Sequence, residues 1–297
     1  MNRLPVAKRA QILSLLCEGS SMRSVSRIID CSINTVAREL VVAGEACAEF
    51  HDLTVRGVKS VRVQCDEIWS FVAMKEKAAK MKKHRAAGVG DVWTWTGLDA
   101  DTKLVIAWRI GDRGAEDAFE FMLDLASRLD GRVQMTTDGH KAYLSAIGGA
   151  FGSQGIDYAQ LVKTYGKDPK EDERRYSPAI CTGIEKTRIY GNPDIKHVST
   201  SYVERSNLTM RMHMRRFTRL TNAFSKKFEN HYHMVALYTA WYNFCRVHKT
   251  LRVTPTMEAK LTDHIWTMED FVGIADEWEA RQPHEKVGRK PKAAESN

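Results

Sequence analysis

Two stretches of this chain alternate apolar and polar residues, and each ends in an aspartate: "SVRVQCD" at 60–66 and "RVQMTTD" at 132–138. A period of two commits a segment to a half-buried strand, because successive side chains leave a strand on opposite faces. In the first, Val61, Val63 and Cys65 oppose Arg62, Gln64 and Asp66. In the second, Asp138 keeps the parity of Arg132, Gln134 and Thr136. Each aspartate is therefore expected on the face opposite the Val/Met set of its strand. If the strands are neighbours, both carboxylates converge on one groove. Like charges held together repel unless a cation neutralises them, and hard oxygen ligands suit Mg²⁺ or Mn²⁺. Glu67 is a further candidate ligand, but it shares parity with Val63 and Trp69 and is expected on the other face.

The segments around these strands set the fold class. "DVWTWTGLD" and "KLVIAWRIGD" read as two strands joined by a hairpin at "DADT". "AEDAFEFMLDLASRL" is an amphipathic helix with Ala118, Met122, Leu125 and Leu129 on one stripe. "GHKAYLSAIG" reads as a short helix, "IDYAQLVKTYG" as a fifth strand, and 201–247 as mostly helical. The expectation is α/β: a mixed five-stranded sheet with flanking helices. Residues 5–45 read instead as three short helices, with Ser21 and Ser32 as N-caps and a tight turn at Asp30-Cys31. That order is a helix-turn-helix, whose third helix would present Asn34, Thr35, Arg38 and Glu39 to base edges. The expected division is an all-α helix-turn-helix domain at 1–50 and a catalytic domain at 58–262 carrying an inserted mobile loop at about 148–198. A C-terminal segment with a disordered tail follows at 263–297.

At 297 residues and 43% hydrophobic content, the chain is expected to be globular. No apolar run approaches the length of a membrane span, and the first residues do not read as a signal peptide. Cys17, Cys31, Cys47, Cys65, Cys181 and Cys245 contain no CxxC pair, so reduced thiols in a cytoplasmic protein are expected, with no zinc. The net charge of +8 is unevenly spread. Residues 199–260 hold eleven lysines and arginines against three acids, and 75–85 hold six against one. Concentrated positive charge points to a polyanion such as a phosphate backbone.

Within the first basic region Glu204 stands among Arg205, Arg211, Arg215 and Arg216. On a helix its neighbours at three and four residues are Asn207 and Leu208, so no cation neutralises it locally. Val203, Met210, Met214 and Phe217 would form the buried stripe beside it. Glu204 can thus supply a third metal ligand while the arginines hold phosphates. Asn207 and Arg211 are placed to orient Glu204 or to hold DNA, and Lys226, Lys227, Arg246, Lys249 and Arg252 are candidate phosphate contacts.

Three segments, "CDEIWSFV" at 65–72, "TTDGHKAY" at 136–143 and "YVERSNLTMRMHMRRFTRLTNAFSK" at 202–226, resemble the DDE transposases of bacterial insertion sequences, most closely the insertion-sequence-one family. "WYNFCRVHKTLRVTPTMEA" at 241–259 is similar to the C-terminal piece common in transposases and integrases. The resemblance covers roughly residues 60–260. It implies a ribonuclease-H-like fold, Asp66, Asp138 and Glu204 as the catalytic and metal-holding triad, and two-metal phosphoryl transfer with Mg²⁺ or Mn²⁺. The implied partners are double-stranded DNA (terminal inverted repeats and target) and further copies of the chain, at least a dimer on DNA. The implied location is the bacterial cytoplasm, at the nucleoid, with no membrane partner. Two other readings stay open: a DNA-binding regulator with a silent transposase-like domain, and a metal-dependent nuclease that cuts without joining.

Overall fold

The computed structural model describes residues 3–82, 87–152, 155–166, 180–218 and 222–283. The alternating segments form β1 (Arg62–Val72), β2 (Gly90–Asp99), β3 (Val105–Gly111), β4 (Val133–Thr137) and β5 (Ile156–Gly166), and β6 (Ile180–Tyr190) follows. The sheet order is β3-β2-β1-β4-β5-β6. β1 runs parallel to β4 and β4 to β5, while the β1–β2, β2–β3 and β5–β6 pairs are antiparallel. At the β2–β3 hairpin the Asp99 carboxylate accepts the amides of Asp101 and Thr102 at 2.7 and 3.2 Å, which closes the turn expected at "DADT".

Six strands replace the expected five. The sixth lies in the stretch expected as a mobile insertion, which also holds all of β5. β6 has no fully buried face: its described side chains are exposed or half-buried, and its ladder with β5 is supported at one end by Tyr190, whose hydroxyl donates to the Leu144 carbonyl at 3.4 Å. A strand that buries neither face carries no period-two signal. Residues 167–179, in the middle of the expected insertion, lie outside the described residues, as does the expected tail from 284 onward.

α4 (Glu76–Ala79) and α9 (Pro255–Glu258) are single turns, and the longer helices cover both faces of the sheet. α5 (Ala115–Arg128) and α6 (Ala142–Phe151) pack on one side, where Trp95 of β2 meets Phe121 and Tyr143 at ring-centroid distances of 6.0 and 5.4 Å. On the other side lie α7 (Ser201–His213) and α8 (Phe228–Ala240). Gln64 of β1 accepts the amides of Tyr202 and Val203, and the Ser70 hydroxyl lies 3.2 Å from the His231 ring. Of the expected stripe, Val203 and Met210 are buried on α7, while Met214 and Phe217 are buried beyond its end. The helix stops at His213, and a 3₁₀ turn carries Arg215–Phe217, so Arg215 lies beyond the helix that carries Glu204.

The first helices are α1 (Val6–Cys17), α2 (Met22–Ile29) and α3 (Ile33–Thr54). Ser21 and Ser32 cap α2 and α3 through the amides of Ser24 and Asn34, and Asp30 takes the left-handed turn at φ +55°. Val25, Val36 and Leu40 are buried, but Ile28 is 62% exposed and Ile33 40%. Glu39, expected at the surface, is buried against the buried Arg9, with Nε donating to Oε2 at 2.7 Å. Arg9 also pairs with Asp276 of α10 (Met268–Arg281) at 2.7 Å. α3 runs past the expected boundary at residue 50 and lies against α8 at Gly44, where a Cβ would sit 2.6 Å from the His233 Cα. Phe50 of α3 meets Phe244, Trp266 and Phe271 at 5.0, 4.9 and 5.7 Å. One hydrophobic core therefore runs from α1 through the sheet to α10. No helix among the described residues is long and apolar enough to cross a membrane.

Candidate acidic site

Parallel pairing of β1 with β4 aligns Cys65 with Thr137. Asp66 comes next within β1 and Asp138 directly after the end of β4, so the two stand side by side; β1 runs on past Asp66 to Val72, so only Asp138 lies at a strand end. Glu67 obeys the parity argument and still joins them. Its carboxylate accepts the Tyr143 hydroxyl at 2.9 Å and Arg113 Nε at 2.6 Å, both from the α5–α6 side. Yet one oxygen each of Asp66, Glu67 and Asp138 lies within 4.8 Å of the others. Asp138 makes this possible: it follows the last residue of β4, where the chain leaves the sheet, and accepts the His140 amide at 2.9 Å.

Asp66 sits on the α7 face and accepts Asn207 Nδ2 at 2.8 Å. Its carboxyl is pushed up to about 7, first by burial and then by the negative charges of Glu67, Asp138 and Glu204. The Tyr143 hydroxyl is pushed up in the same way, by burial and then by Glu67. Arg113 offsets part of this charge: it pairs with Glu67, reaches Asp138 at 3.7 Å and lies over the Trp93 ring at 4.7 Å. A guanidinium on Glu67 leaves Asp66 and Asp138 as the pair that a hard divalent cation would relieve.

Glu204 does not join the close group. It sits in the first turn of α7, accepts the Thr200 hydroxyl at 2.6 Å and is ion-paired with Lys163 of β5. Its charge reaches Asp66 as the smallest of the named contributions. Asn207, expected to orient Glu204 or to hold DNA, is buried and holds Asp66 instead. Helical geometry explains this: residue 207 turns inward with Val203 and Met210.

The basic candidates divide by exposure. Asn34 and Arg38 of α3, Arg205, Arg215, Lys226, Lys227, Lys249 and Arg252 are exposed, while Thr35, Arg211 and Arg246 are half-buried. Arg38, Lys226 and Lys227 line one groove of about 760 Å³ between α3 and the start of α8. Arg216 departs from the expectation of a free surface cation: it is half-buried, and its Nη1 donates to the Asn230 carbonyl at 3.0 Å. The sequence reading did not single out Arg113, Tyr143 or Lys163. Arg113 lies in the β3–α5 connection, Tyr143 on α6 and Lys163 on β5, and each meets its acid only in the folded sheet, so no local spacing announces it.

No protein-family model matches the chain, and no curated protein matches it. Among solved structures the chain is similar to a Mos1 transposase paired-end complex with left transposon end, at 12% identity and a TM-score of 0.24. The match covers 53% of this chain and 60% of that one, so this chain spans less than two thirds of its neighbour's length. A likeness this loose leaves fold and function to rest on the residues themselves.

Proposed function

We propose that the chain is a DDE transposase: an enzyme that cleaves and joins transposon-end phosphodiesters on a ribonuclease-H-like core. The observation that carries the reading is the meeting of Asp66 and Glu67, within β1, with Asp138, just past the end of the neighbouring parallel β4, the Asp66 carboxyl being raised by burial and then by its acidic neighbours. Carboxylates gathered in this way fit a site built for divalent cations. Asp66 and Asp138 would hold Mg²⁺ or Mn²⁺, and Glu204 is the third acid of the set, restrained by Lys163. The bound cation supplies charge stabilisation at the phosphoryl oxygens and activation of the attacking hydroxyl.

The chain's own residues supply position. Asn207 fixes the Asp66 carboxylate, and Arg113 with Tyr143 fixes Glu67. Arg205, Arg211, Arg215, Lys226, Lys227 and Lys249 are assigned to phosphates, and Asn34, Thr35 and Arg38 of α3 to base edges. The N-terminal helices serve as the DNA-reading part and residues 58–262 as the catalytic part. The partners are terminal repeats, target DNA and at least one further copy, in the bacterial cytoplasm.

The test is a strand-transfer assay with candidate inverted-repeat ends and Mg²⁺ or Mn²⁺. Joined product is expected from the wild type. Asp138→Asn is expected to abolish cutting and joining while end-DNA binding persists; cutting by that variant in Mg²⁺ would refute the assignment. Cuts without joints would make the protein a nuclease, and binding without cuts a regulator.

A further inference from the structure

α2, the turn at 215–217 and the segment at 222–226 border a groove of about 710 Å³ that shares no lining residue with the acidic cluster. Arg23, Arg215, Arg216 and Lys226 line it, and none of its described lining residues is acidic. Its apolar lining includes Met22, Ile33, Phe224 and Met234.

Arg216 is the informative residue. Burial pulls its guanidinium down to about 10, and no carboxylate counters that effect. Its partners are the Asn230 carbonyl at 3.0 Å and the Met22 sulfur at 3.5 Å. A guanidinium taken out of water ordinarily keeps an anionic partner. Among the described residues the two fully buried arginines do so: Arg9 has Glu39 at 2.7 Å, and Arg128 has Asp52 at 2.7 Å and Asp124 at 2.9 Å. Among the described residues Arg216 has none, and the other described charges lining the groove are all positive. Such a site is short of one anion. Phe224, packed on Phe71 with ring centroids 4.8 Å apart, adds an aromatic wall to the same groove.

We propose that this groove holds one nucleotide of a DNA strand, its phosphate at Arg216, Arg23 and Lys226 and its base against Phe224 and the apolar floor. The inference rests on the reading of the chain as a DNA-acting protein and adds a strand-holding site separate from the acids. A free inorganic anion would use the four cations and leave the floor idle. An apolar peptide would use the floor and leave the cations idle. A nucleotide has charge at one end and a flat apolar ring at the other, and uses both.

The test is fluorescence anisotropy of the full chain with a labelled single-stranded oligodeoxynucleotide, and with an abasic strand of the same length, in EDTA. Chelation silences the acidic cluster, so failure of strand joining and failure of this site are read separately. Arg23→Ala is expected to lower the salt slope of log K by about 0.7, the value of one single-strand phosphate contact. Phe224→Ala is expected to weaken binding of the base-bearing strand by about tenfold, the scale of one lost stack, and to leave the abasic strand and the salt slope unchanged. Ile33→Gln alters the floor without touching the Phe71 packing and is expected to reproduce that base-dependent loss. An unchanged slope for Arg23→Ala, or equal effects on the two strands for both floor variants, would overturn the proposal.

Discussion

Asp66 is the residue at which folding and the proposed chemistry oppose each other. Its carboxyl stands at about 7 in the folded chain against an ordinary 3.8. Below about pH 4 the folded and unfolded states are both protonated and the group is neutral to stability. Between about pH 4 and 7 the unfolded chain ionises first, so stability falls as pH rises. Above about pH 7 the cost is constant, at most about 4 kcal/mol. Asp66→Asn keeps an oxygen to accept Asn207 and removes the charge. In chelator it is expected to be more stable than the wild type at about pH 8 and equal to it near pH 4. Urea denaturation at the two pH values measures this; the same difference at both would show that the charge is not the cause.

Among the elements, the α3–α8 contact decides how the first helices join the sheet. Gly44 permits it: a Cβ there would also lie 2.8 Å from the His233 carbonyl oxygen, with backbone on the far side and nothing flexible to yield. Gly44→Ala is expected to cost about 1–3 kcal/mol through overpacking. Gly273 of α10 gives the contrast, since a Cβ there meets nothing within 4 Å. Gly273→Ala is expected to stabilise by about 0.5–1 kcal/mol through helix propensity. Thermal melts of the pair check both signs. The same glycine shows what the sequence could and could not reveal. Read forward, "VVAG" looks like a helix running out at residue 44; only the partner helix explains a glycine in mid-helix. The β1 and β4 strands, the Asp99 turn, the Ser21 and Ser32 caps and the buried face of α5 were legible because each is a local pattern. The pairing of Asp66 with Asp138 was legible for the same reason, once the strands were taken as neighbours. β6, the Arg113–Glu67–Tyr143 network and the Lys163–Glu204 pair were not, because they exist only across the sheet.

At the scale of the molecule, the continuous core predicts joint unfolding. Arg9, Glu39 and Asp276 tie α1, α3 and α10 by buried and half-buried charge, and the Phe50 cluster joins α3 to α10 by apolar contact. Arg9→Met leaves Glu39 in the interior without its buried cation. It is expected to cost about 3–5 kcal/mol, the scale of a broken buried ion pair. Because the helices share the core of the sheet, far-UV circular dichroism and tryptophan fluorescence are expected to report one coincident transition in both wild type and variant. Two separated transitions would show that the first helices fold on their own.

The Arg9–Asp276 pair also sets an order of events during synthesis. Arg9 leaves the ribosome long before its partner is translated. At about 5–20 residues per second, the delay is roughly a quarter of a minute to a minute. Through that interval a guanidinium destined for the interior stays in water, and the segment assigned to reading DNA lacks its brace. A polypeptide released early, short of α10, would keep the acids and lose the clasp that holds the first helices to the rest of the core.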